Sequence, residues 1–80
     1  MRFRDSAFKH GVTAEAIEHA VEYSMHWDDD AYGTEPPKVL ILGPDHAGNI
    51  LEVIGEYDAD ELKVFHAMKA RPQFLDLLDE

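Results

Sequence analysis

Residues 38–68 read KVLILGPDHAGNILEVIGEYDADELKVFHAM, and the punctuation of this stretch decides the fold. Three runs rich in apolar and β-branched residues, at 38–43, 50–57 and 62–68, predict three strands. Between them, residues 44–49 (PDHAGN) and 58–60 (DAD) supply turn chemistry through Pro, Asp, Gly and Asn. Connections this short make successive strands pair antiparallel as a meander. The first run, KVLILG, is apolar throughout, which predicts cover over part of both its faces.

Moving outward toward the C-terminus, Pro72 suits the first turn of a final helix, whose Phe74, Leu75, Leu77 and Leu78 are expected to pack on the sheet. Toward the N-terminus, residues 28–37 (DDDAYGTEPP) form a loop closed by two prolines. Thr13 is placed to cap a helix, with Glu15 in its first turn and an apolar stripe of Ala14, Ile17, Ala20, Val21, Ser24 and Met25. Alternation of Tyr23, Met25 and Trp27 is equally compatible with a strand, so the helix end is left open. Residues 2–10 carry Phe3 and Ala7 at helical spacing, and Gly11 is placed to end that helix in a left-handed conformation. The expected fold is α+β: two N-terminal helices, an antiparallel three- to four-stranded meander and a C-terminal helix, in a single small domain over residues 1–80.

The chain has 80 residues, no cysteine and a formal net charge of −10. Its size is near the lower end of what folds without help, so a homodimer or bound partner would add stability. The absence of cysteine removes disulfides and thiolate metal sites, and no run reaches membrane-spanning length, which together favour a cytoplasmic protein. A net negative charge counts against nucleic-acid binding, because phosphate affinity rests on Lys and Arg. The distribution points the other way. Six of the seven Lys and Arg residues lie in residues 1–10 or 63–71. If those segments meet, they form a basic site on an acidic body; scattered surface charge is the alternative, at even odds.

The residue types narrow the chemistry. The five histidines form no HxxxH or HExxH pair, which weakens a zinc reading, and there is no nucleophile elbow or phosphate-cradling glycine loop. Asp28, Asp29 and Asp30 lack the spaced ligands of a calcium loop, so a solvated acidic loop is favoured about fivefold over a cation site. Acid–base chemistry by His, assisted by Lys and Arg, is what remains, and no cofactor is called for. Each candidate also has a plainer reading. His10 before Gly11 can complement a helix C-terminus, and Lys9 can be a solvated helix residue. His66 can be a hydrogen-bonded core histidine: strand alternation puts it on the face of Leu62, Val64 and Met68, with Lys63, Phe65, Ala67 and Lys69 opposite. Arg71, held extended by Pro72, is expected to project at the sheet's end. Tyr23, Trp27 and Tyr32 can stack RNA bases, although partly buried core positions are about three times more common for such aromatics.

Three segments carry a likeness. Lys9-His10-Gly11-Val12-Thr13 before an acidic amphipathic helix resembles the KHGV segment of BrnT-like toxins. VLILGPDHAGNILEVIGEY resembles their paired strands, and VFHAMKARPQFLDLL their terminal strand and helix, in a compact branch ending HAMxxRPxFLxLL. The resemblance covers roughly residues 6–78. It implies a RelE-superfamily fold and a type II toxin that cleaves RNA without metal and is neutralised by a small antitoxin, usually a ribbon-helix-helix protein. Carried onto this chain, it implies His10, Lys9, Arg71 and His66 as catalytic candidates and Lys69 and Arg4 as RNA-binding ones. The chain departs from that family in its acidity and in its thinned basic run, where Ala67, Met68 and Ala70 separate His66, Lys69 and Arg71. Those departures support an alternative: a non-catalytic acidic module or degenerate toxin that binds a basic protein.

Overall fold

A computed structural model describes residues 1–79. The three strands read from residues 38–68 form the centre of the sheet: β3 (Val39–Pro44), β4 (Ile50–Asp58) and β5 (Glu61–Lys69), paired antiparallel in succession. Asp45 holds the β3–β4 turn. Its carboxylate accepts from Ala47 N and Asn49 N at 2.9 and 2.8 Å and from the Asn49 amide at 3.1 Å, an Asx-turn arrangement. Those bonds hold the Asp45 carboxyl below its ordinary value, the Asn49 side-chain amide contributing most.

The expected architecture is corrected at both ends. The sheet is five-stranded and mixed, in the order β1-β5-β4-β3-β2, rather than a three- to four-stranded antiparallel meander. The first helix predicted over residues 2–10 does not form. Arg2–Phe3 is instead strand β1, parallel to Lys63–Val64 of β5, and Arg4 N continues the pairing to the Val64 carbonyl at 2.8 Å. Only a single 3-10 turn, Asp5–Phe8, follows. A short isolated helix is marginal in water, and here β5 offers an open edge whose backbone groups satisfy the segment instead. Gly11 does take the left-handed conformation, at φ 81°, and so redirects the chain into α1.

The second predicted helix is present as α1 (Ala14–Glu22), with the Thr13 hydroxyl accepting from Ala16 N at 3.1 Å. The open question about its end resolves in favour of a break at Tyr23: β2 (His26–Asp28) pairs antiparallel with β3. As a consequence Met25 leaves the apolar stripe and is exposed, whereas Ile17 and Ala20 are buried. Helix α1 lies very close to β3. A side chain at Gly43 would collide with the Ala20 backbone carbonyl, so glycine is the residue that permits this approach.

Both faces of the sheet are covered, as the unbroken apolar run of β3 predicts: Val39 through Gly43 are all buried. Val39, Ile41, Leu51, Val53, Leu62, Val64 and Ala67 meet Ile17, Ala20 and Ala7 on one face. On the other, Leu40, Leu42, Ile54 and Ala70 meet Phe65, Phe74, Leu77 and Leu78. The C-terminal helix is one turn, α2 (Pro72–Leu75), continued as a 3-10 turn at Asp76–Asp79. Its Leu75 faces solvent, contrary to the packing expected of it.

One irregularity positions the site. Ile54 pairs with His66 and Gly55 with Val64, which leaves Phe65 as an extra residue in β5. This β-bulge shifts the alternation by one. Leu62 and Val64 before it and Ala67 after it therefore share the α1 face, and His66 is turned to the face that carries Glu52 and Ile54. The expected grouping of His66 with Leu62 and Val64 is thereby overturned. The Phe65 carbonyl accepts from the Ser6 hydroxyl at 2.6 Å, tying the bulge to the 3-10 turn.

Candidate functional site

The bulged face of β5 forms the floor of a cleft of about 620 Å³, lined by Ser6, Lys9, His10, Tyr32, Thr34, Lys38, Ile54, Phe65, His66 and Arg71. That volume lies within the range of about 300–1,000 Å³ common for ligand pockets. Four candidates from the sequence, Lys9, His10, His66 and Arg71, thus come together from three separate parts of the chain. Lys9 and His10 follow the 3-10 turn, His66 lies on β5 and Arg71 precedes α2. The His10 and His66 rings meet edge to face with centroids 5.5 Å apart. His10 therefore packs against another imidazole rather than closing a first helix.

Beneath these groups lies a residue that sequence reasoning missed. Glu52 has no accessible surface and is the one buried charged residue among the described residues. Its Oε1 accepts from Arg71 N at 2.9 Å and Arg71 Nε at 3.0 Å. Its Oε2 accepts from Arg71 Nη2 at 2.8 Å and lies 2.9 Å from His66 Nε2. Arg71 consequently does not project freely from the sheet's end. Pro72 holds its backbone extended, at φ −77° and ψ 156°, and the side chain folds back as a fork onto the carboxylate. Burial pushes the Glu52 carboxyl up, but the hydrogen bonds from Arg71 and His66 outweigh burial and hold it below its ordinary value. The same pair pushes the Arg71 guanidinium up.

The sequence did carry a signal for Glu52. It is the lone charge inside ILEVIG, on a central strand, and a charge there needs partners. The course of β4 was not the difficulty; the bulge that brings His66 over it was.

The opposite wall comes from the loop between β2 and β3, which adds Tyr32, Thr34 and Lys38. Desolvation, followed by the Glu52 carboxylate, pushes the Tyr32 phenol above its ordinary value, against the opposing effect of Arg71. Lys38 Nζ donates to the Thr34 hydroxyl at 3.3 Å. Arg2, Arg4 and Lys63 are held by Asp58, Glu61 and Glu56 at 3.5–3.9 Å. Among the described residues, Lys9 and Lys38 in the cleft and Lys69 outside it have no carboxylate within 4.0 Å. Two unpaired ammonium groups, two imidazoles and a guanidinium thus line one cleft, with the Glu52 carboxylate bound to the guanidinium and one imidazole, on a chain of net charge −10.

Comparison with protein-family models, with curated proteins and with solved structures finds no match for this chain. The site is therefore read from its own chemistry.

The remaining candidates fall elsewhere. Lys69 is exposed at the end of β5 opposite Leu51, and Arg4 is engaged by Glu56; neither lines the cleft. Tyr23, Trp27 and Tyr32 are exposed rather than core aromatics, and Tyr32 alone of the three lines the cleft. The aspartate loop is internally bonded. Asp28 accepts from Asp30 N at 2.9 Å, and Asp29 accepts from Trp27 Nε1 at 2.8 Å and the Tyr57 hydroxyl at 3.4 Å. Among the described residues no helix is long and apolar enough to cross a membrane.

Proposed function

We propose that the chain is a metal-independent ribonuclease of the type II toxin class, with its active site in this cleft. The observation that carries the proposal is the meeting of Lys9, His10, His66 and Arg71 from separate segments around one cavity. RNA carries its own nucleophile. One imidazole removes the 2′-hydroxyl proton as that oxygen attacks the adjacent phosphorus, and a protonated group returns a proton to the departing 5′-oxygen as the P–O5′ bond breaks. The products are a 2′,3′-cyclic phosphate and a 5′-hydroxyl. Lys9, Lys38 and Arg71 are the groups that bind the phosphate and stabilise charge developing on it. Tyr32 offers an exposed ring against which a flanking base stacks. The likeness of the Lys9–Thr13 segment and of residues 64–78 to BrnT-like toxins supports the same reading. It further implies a cytoplasmic protein held inactive by a cognate antitoxin, with a homodimer as an additional source of stability.

One observation favours a second reading. Glu52 takes both guanidinium contacts of Arg71, which reduces the charge Arg71 offers a phosphate. The exterior is acidic. A non-catalytic module or degenerate toxin that binds a basic protein fits both facts. Expression of wild type beside His10→Ala and Arg71→Ala separates the two. Growth arrest by wild type, relieved in both variants, supports the ribonuclease. Equal growth of all three, with each protein soluble and folded, sinks it and leaves the binding module.

A further inference from the structure

We propose that Glu52 is a positioning residue that holds His66 as the Nε2–H tautomer and leaves Nδ1 as the nitrogen that exchanges protons in the cleft. The geometry is direct. A carboxylate oxygen 2.9 Å from Nε2 is an acceptor only, so Nε2 must carry the hydrogen whether the ring is neutral or charged. Nδ1 has no hydrogen-bond partner among the described residues. Glu52 is itself fixed. It has no accessible surface, and three further hydrogen bonds from Arg71 hold both its oxygens. Its orientation is thus set by the extended backbone before Pro72, which aims Arg71 N at Oε1.

This arrangement orders a ring that otherwise has freedom to turn. His66 is partly exposed and sits beside the bulge at Phe65. The other charged or titratable groups around the ring are His10, edge-on at 5.5 Å, and the cleft residues Lys9, Lys38, Tyr32 and Arg71. Glu52 alone supplies an obligate acceptor at Nε2. A buried carboxylate that fixes a histidine's tautomer while the opposite nitrogen does the chemistry is an established division of labour. Glu52 does not touch the substrate in this scheme; it acts through His66.

The kinetic consequence rests on the ribonuclease reading, whereas the tautomer does not, so the test has two parts. In wild type with 15N-labelled histidine, long-range 1H–15N spectra taken above the imidazole titration should show His66 protonated at Nε2 and bare at Nδ1. An Nδ1–H ring, or an even mixture, overturns the proposal. In Glu52→Gln the single-tautomer pattern should be lost, because an amide can donate as well as accept. Retention of the pure Nε2–H form in that variant also overturns it. Turnover of an RNA oligonucleotide by Glu52→Gln should fall about 10²-fold, the lower end of what a positioned acid–base group contributes. Affinity for the all-2′-deoxy analogue should stay within about twofold. An equal loss in turnover and in analogue affinity shows a purely structural role and refutes positioning. If wild type cleaves no RNA, the ribonuclease reading fails while the wild-type spectrum still decides the tautomer. The wild-type spectrum decides equally well if Glu52→Gln does not fold.

Discussion

Replacing Glu52 by Gln tests whether the buried carboxylate holds the cleft together. The substitution preserves volume and removes the charge. An amide oxygen can keep the Arg71 contacts made by one carboxylate oxygen, but the new NH2 group then confronts donors that the other oxygen had accepted. Breaking a fully buried ion pair costs about 3–5 kcal/mol. Here the side chains of Arg71 and His66 are 45% and 23% exposed, so water takes up part of what they lose. The expected cost is about 2 kcal/mol, in line with lost hydrogen bonds to a charged group. For a chain this small that lowers the urea midpoint at pH 7 by about 1–2 M.

The pH dependence follows from the sign of the shift. The Glu52 carboxyl titrates lower in the folded chain than its ordinary value of 4.5. Its stabilisation is therefore complete above that value and is lost as pH falls through the folded pKa. Asp45 is depressed in the same direction, but it is common to both proteins and cancels in their difference. Urea titrations of wild type and Glu52→Gln should diverge at pH 7 and converge as pH drops below about 4.5. Equal midpoints at pH 7, or a gap that stays constant into acid, would show that Glu52 is not held as a depressed carboxylate and would refute the reasoning.

Two further outcomes are expected. Lys9→Gln and Lys38→Gln should each reduce the salt dependence of single-stranded RNA binding, by about 0.7 in the slope of log K against log salt for each phosphate contact removed; unchanged slopes would place the RNA elsewhere. Gly43→Ala should destabilise the fold by about 1–3 kcal/mol in urea unfolding, because its methyl group meets the Ala20 carbonyl and α1 must move off β3; a neutral substitution would mean that α1 is not docked so closely.

The central strands, their turns and the Thr13 cap were legible because each rests on local chemistry: alternation, turn residues and a side chain that satisfies a helix end. The convergence of Lys9 and His10 on His66 and Arg71 was posed by charge distribution and occurs in the cleft lining. What sequence could not show was long-range or cumulative. Phe65 looks like any strand residue, yet as a bulge it reverses the facing of His66. Phe3 fits helical spacing, but the open edge of β5 draws Arg2–Phe3 into parallel pairing. Glu52 stands out as the lone charge inside ILEVIG, but nothing local shows that Arg71 and His66 fold onto it. Lys38 opens a strand in the sequence, and its role at the cleft depends on how the preceding loop returns across the sheet.

The most direct test of the account is incubation of the purified chain, free of any antitoxin, with an RNA oligonucleotide in EDTA, followed by analysis of the new ends. Cleavage to 2′,3′-cyclic phosphate and 5′-hydroxyl ends, lost in His10→Ala and absent with the 2′-deoxy analogue, is the predicted result. Intact RNA from folded wild-type protein, or cleavage that persists in the 2′-deoxy analogue, would contradict it.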